Sequence, residues 1–115
     1  MKRARLLLPL AAVLAVTLVA AGCGGASAST APVATTAVSM AKSYRFAPGT
    51  IEIAAGQTVT WTNNDNFTHT VKVDGHADHK VDRGASVSIT FAKPGTYHYV
   101  CTLHSRDMHG TVIVK

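Results

Sequence analysis

Cysteine is nearly absent from this chain, whose 115 residues hold only Cys23 and Cys101. Helical periodicity is absent too: no stretch after residue 38 repeats its apolar residues every three or four positions. There are no internal repeats, and the length admits one domain. The net charge of +5 overstates the basic character, because Lys2, Arg3 and Arg5 stand in an N-terminal leader. From Val38 onward eight Lys and Arg face six Asp and Glu, and no basic cluster survives. Nucleic acid is therefore not expected as a partner. The residual charge supports only a mild preference for an acidic partner surface.

The N-terminus is a processing segment. A cationic run, Met1 to Arg5, precedes an uncharged stretch from Leu6 to Gly22 rich in Leu, Val and Ala. That stretch is shorter than the roughly 20 residues a bilayer span needs, so residues 1–22 read as a secretory signal, with an uncleaved anchor as the alternative. "AAGC", Ala20 to Cys23, resembles a bacterial lipobox, with Ala20 where Leu is usual. "ASA", residues 26–28, fits ordinary signal cleavage. The lipobox is favoured, because a rare cysteine directly behind "AAG" needs a reason. Lipidation of Cys23 tethers the protein to a membrane outside the cytoplasm, at the cell surface or in the periplasm. Residues 23–37 are small and polar and read as a flexible linker, leaving 38–115 as the folded domain.

That domain consists of short alternating segments. Ile51 and Ile53, Val59 and Trp61, His69 with Val71 and Val73, Val87 with Ile89 and Phe91, Tyr97 with Tyr99 and Cys101, and Val112 with Val114 each share one strand face. With "VSMAKSY" as a first strand, this predicts about seven strands in a small antiparallel sandwich or Greek-key barrel. "APGT", "AAGQ", "NNDN" and "KPGT" punctuate them. With no disulfide expected, a domain this small gains from another internal staple, and a metal is the obvious one.

Parity places His69 and Cys101 toward the core, each at one end of its strand. His104 and Met108 follow on the loop before the last strand, where they can return over the same spot. Two imidazoles, one thiolate and one thioether suit copper, and His₂Cys with a long axial Met is the blue-copper electron-transfer site. Zinc prefers a Cys/His set without thioether, and the one carboxylate evident near these residues is Asp107.

Residues 44–115 resemble the plastocyanin/amicyanin-like cupredoxins. The resemblance rests on "FAPGTIEIAAGQTVTWTNND", "HTV" at 69–71 and "PGTYHYVCTLHSRDMHGTVIV". It implies an all-β Greek-key β-sandwich that binds one type 1 copper ion through His69, Cys101, His104 and Met108. It implies a monomeric electron carrier, not an enzyme, that meets its redox partner proteins transiently. In such proteins the loop histidine, here His104, faces solvent inside an apolar patch, and the N–H of Thr70 donates to the Cys101 sulfur. Two departures stand out. Three residues separate His104 from Met108, against two in amicyanin-like loops and four in plastocyanins, and Leu103 stands where many relatives have Pro.

The other histidines read differently. His98 has outward parity, His109 reads as a surface residue, and His76 and His79 belong to a charged, solvated loop. Asn66-Phe67-Thr68 forms a glycosylation sequon that a bacterial-looking leader leaves unused. No His-Cys-His run wires a multicopper oxidase cluster, and no second cysteine serves a binuclear centre. Two rivals share the ligands or dispense with them: a protein that buffers or delivers copper, and a sandwich with no metal.

Overall fold

Alternation builds both sheets of the computed structural model, which describes residues 31–115. The expected signal over 1–22, the lipobox cysteine Cys23 and the first part of the linker lie outside the described residues. The strands are β1 (Val33–Ala34), β2 (Ala37–Ala41), β3 (Arg45–Ala47), β4 (Thr50–Ile53) and β5 (Thr58–Asn63). They continue with β6 (His69–Val73), β7 (Asp78–Val81), β8 (Ser86–Thr90), β9 (Gly95–Val100) and β10 (His109–Val114). One sheet runs β1-β4-β10-β9-β6-β7 and the other β3-β2-β5-β8.

Ten strands replace the expected seven, and the three extra ones have a common cause. β1, β3 and β7 have two to four residues each, too few for alternation to show. They pair at sheet edges, where backbone hydrogen bonds suffice and polar side chains are tolerated. β1 and the start of β2 fall within residues 33–37, the last part of the expected linker. The chain enters the sheet at Val33, inside the expected 23–37 linker, through parallel pairing of Val33 and Ala34 with Ile51 and Glu52. The sandwich is not purely antiparallel either: β1–β4, β4–β10 and β2–β5 are parallel pairs.

The inward sets follow the alternation, with Val38 and Met40 added from β2 and Val87 and Tyr97 only partly buried. Val38, Met40, Ile51, Ile53, Val59, Trp61, Val71, Val73, Tyr99, Val112 and Val114 are buried between the sheets. Each such side chain contributes roughly 1.5–3 kcal/mol on leaving water, so this interior fixes the frame. Tyr99 anchors it, with Phe46 at 4.7 Å and Trp61 at 5.3 Å between ring centroids. Its ring lies against Gly110, where a Cβ would come within 2.1 Å. On the outer face of the smaller sheet Thr58–Thr90, Thr60–Ser88 and Thr62–Ser86 pair hydroxyl to hydroxyl at 2.7–2.8 Å.

Candidate metal centre

Antiparallel pairing brings the strand-borne residues together. His69 opens β6 and Cys101 directly follows β9, and Lys72 pairs with Val100 across these two strands. The start of one strand and the end of the other therefore share one end of the sandwich. His69 Nδ1 lies 3.8 Å from Cys101 Sγ, with both side chains wholly buried. Two donors bonded to one ion at about 2.0 and 2.3 Å, roughly 115° apart, stand about 3.7 Å from each other.

Each member of this pair has its other valence occupied. His69 Nε2 meets Asp65 Oδ2 at 2.9 Å, which leaves Nδ1 to face the sulfur. The Thr70 backbone N–H donates to Cys101 Sγ at 3.3 Å, as the resemblance implied, and the Thr70 hydroxyl lies 3.9 Å from the same sulfur. These contacts fix where the Cys101 sulfur stands beside the imidazole.

Asp65 was not legible as part of the site, and it corrects the reading that Asp107 is the only nearby carboxylate. Asp65 is buried, while Asp107 is exposed. The hydrogen bond with His69, helped by the Asn66 N–H, holds the Asp65 carboxyl below its ordinary value against the opposing effect of burial. Asn63 places the loop that carries Asp65. Its Nδ2 donates to the Phe67 carbonyl at 2.7 Å and the Val81 carbonyl at 2.9 Å, and its Oδ1 accepts the Asp65 N–H at 2.9 Å.

The loop-borne residues come from the connection between β9 and β10. It includes a short 3₁₀ turn, Thr102–His104, within what the sequence suggested was plain loop. Cys101 N–H donates to the Met108 carbonyl at 3.0 Å and Met108 N–H to the His104 carbonyl at 3.0 Å, so the loop folds back on itself. Met108 is wholly buried and His104 partly exposed. The His69 and His104 rings lie edge to face with centroids 5.3 Å apart. Two imidazoles sharing one ion at ordinary bond lengths have centroids about 5 Å apart. Among the described residues no group of three His, Cys, Asp or Glu side chains is placed to hold an ion as it stands. His69 and Cys101 are the closed part of the set, and His104 stands beside them. A thiol, two imidazoles and a thioether at one apolar end suit a transition metal that accepts soft donors.

Exposed apolar side chains stand near His104, beside the polar Ser105, Arg106 and Asp107. Among the described residues Tyr44, Phe67 and Leu103 are three of the four exposed large apolar side chains, and Tyr44 stacks near both Phe67 and His104. The remaining histidines are dispersed. His98 and His109 are exposed, on Thr111 Oγ1 and the Arg106 carbonyl respectively. His79 lies in β7, and His76 is partly buried with its ring 5.6 Å from Phe91, so neither is the freely solvated loop residue expected.

This fold and this end of the sandwich define a class. Residues 10–114 match the family described as the cupredoxin-like domain, and the chain belongs to it. Amicyanin-alpha of Methylorubrum extorquens is 35% identical over 92 residues, 74% of this chain and 76% of that protein. Plastocyanin of Scenedesmus fuscus is 36% identical over 84 residues, 61% of this chain and 86% of that protein. Among solved structures, the Cu(I) form of an amicyanin mutant matches with 30% identity and a TM-score of 0.62, covering 75% of this chain and 87% of its own. A purple cupredoxin from Nitrosopumilus maritimus shares the fold at 24% identity and a TM-score of 0.63.

Proposed function

We propose that this protein is a type 1 copper electron carrier, not an enzyme, working outside the cytoplasm with His69, Cys101, His104 and Met108 as its donors. The observation that carries the reading is the buried 3.8 Å approach of His69 Nδ1 to Cys101 Sγ. Both atoms are aimed from behind, by Asp65 and by the Thr70 N–H. The kinship with amicyanin and plastocyanin supports the same assignment.

Bound copper supplies a one-electron couple. The protein's part is to keep the donors from moving between the two oxidation states. β6 and β9 fix His69 and Cys101 by sheet pairing. Thr102 N–H to Thr70 Oγ1 at 2.7 Å, and the Thr70 to Thr102 hydroxyl contact at 2.8 Å, stitch the two strand ends together just beyond that pairing. The wholly buried Met108 and Cys101 exclude water on the inner side. His104, with the exposed Tyr44, Phe67 and Leu103 about it, is where a redox partner meets the centre, and final seating of His104 accompanies metal binding. Cys23, lipidated, tethers the domain; a mature N-terminus at Ser29 without acyl mass would remove that part.

Voltammetry of the copper-loaded protein separates carriage from delivery. A reversible one-electron wave with the metal retained through many cycles is expected. Preferential Cu(I) binding with rapid loss to a chelator would make it a copper-delivery protein instead.

A further inference from the structure

The two histidines of the candidate centre are oriented by different means. His69 is fixed by a carboxylate, Asp65, at 2.9 Å. The His104 imidazole makes no side-chain hydrogen bond among the described residues, although metal-bound histidines are normally held by one through the second ring nitrogen. Besides the His69 ring at 5.3 Å, what lies against it is the Tyr44 ring, with centroids 4.3 Å apart and planes 46° apart. This is closer than the 4.7 Å between Phe46 and Tyr99 in the core.

Tyr44 reaches that position through an unfavourable backbone. Ser43 has φ 68° and Tyr44 has φ 54°, consecutive left-handed residues in the hairpin loop between β2 and β3. Such positions ordinarily take Gly or Asn, and a bulky aromatic there is an outlier of the kind that persists when it serves a site. The ring is nevertheless 39% exposed, so core packing does not account for its placement. Phe67 stands behind it with centroids 6.2 Å apart, and Asn63 holds the Phe67 carbonyl at 2.7 Å. The line Asn63–Phe67–Tyr44–His104 thus runs from the buried end of β5 to the partner-facing imidazole.

We infer that Tyr44 is a positioning residue for the metal centre, an aromatic clamp that holds the His104 imidazole in its ligating orientation in place of a hydrogen bond. The inference rests on the copper reading, and its test has one limb that does not. In the metal-free full chain, ring contact predicts nuclear Overhauser effects between the Tyr44 and His104 ring protons and a single ordered set of His104 signals. Tyr44→Ala should shift those signals and broaden or average them, while Tyr44→Phe retains the parent pattern. In the copper-loaded chain, loss of an aromatic contact of ordinary strength should speed copper(I) release to bicinchoninic acid roughly three- to tenfold in Tyr44→Ala. Tyr44→Phe should stay within about twofold, since the contact depends on the ring and not on the hydroxyl.

Tyr44→Gly guards against a trivial loss of structure. Glycine relieves the left-handed φ, so its melting temperature should hold or rise while copper release still accelerates. A role confined to hairpin stability would move the two together, and that outcome would overturn the clamp. So would His104 signals in Tyr44→Ala identical to the parent's. If the parent takes up no copper, the copper reading fails, and the positioning role of Tyr44 at a metal ligand fails with it. Unchanged His104 signals in a parent that does bind copper sink the clamp alone.

Discussion

Of the proposed donors, His69 opens a strand and Cys101 directly follows one, while His104 and Met108 lie further along a loop, and the two halves are held differently. The strand half, His69 and Cys101, is wholly buried and braced by Asp65, Thr70 and sheet pairing. In the loop half, Met108 is buried but held through backbone bonds, and His104 is partly exposed against Tyr44. In the proposed carrier one side resists movement and the other is the side offered to a partner. A carrier needs both properties within one small centre, and the division assigns them to different secondary structure.

The sharpest way to break that contrast is to disturb the packing beneath it. Gly110→Ala drives a methyl group to 2.1–2.5 Å from two Tyr99 ring carbons and its hydroxyl oxygen, and that ring is pinned by Phe46 and Trp61. We expect a loss of about 3 kcal/mol in urea unfolding, the upper end for overpacking. Asp65→Ala comes next. It leaves His69 Nε2 buried and unpaired, and the metal-free protein should lose about 2 kcal/mol. A loss below about 0.5 kcal/mol would mean that packing alone fixes His69.

The loop side should tolerate what the strand side does not. Leu103→Ser changes a side chain that is 57% exposed, so stability should stay within about 0.5 kcal/mol while electron exchange with a protein partner slows. Smallest of all is Asp82→Asn. The Thr68 hydroxyl and then Lys80 hold the Asp82 carboxyl below its ordinary value of 3.8. The folded protein thus keeps it ionised to lower pH than the unfolded chain does. Its stabilising contribution is present at neutral pH and disappears as pH falls through the depressed value. The melting temperatures of parent and variant should differ slightly at pH 7 and converge only once the pH has fallen through that depressed value.

How much of this was legible in the sequence follows the same division. Strand parity rests on a two-residue period, so the inward set, the burial of His69 and Cys101 and the outward face of His98 were all readable. The short edge strands were not, because two to four residues do not display a period. Loops have no period at all. Asp65 stands four residues before His69 in "NNDNFTH", which looks like turn chemistry, and only the Asn63 hydrogen bonds bring it onto the imidazole. Tyr44 ends the expected first strand "VSMAKSY", and nothing in that stretch foretells its left-handed backbone. What the structure shows of the four expected residues is the 3.8 Å approach of His69 Nδ1 to Cys101 Sγ and the His104 ring 5.3 Å from that of His69.

Copper(II) titration of the metal-free protein, followed by visible absorption and electron paramagnetic resonance, tests the central claim most directly. The account predicts one equivalent bound, an intense thiolate-to-copper band and a narrow copper hyperfine splitting, all lost in Cys101→Ser. A colourless protein, or one whose copper signal is the same without the Cys101 sulfur, would contradict it.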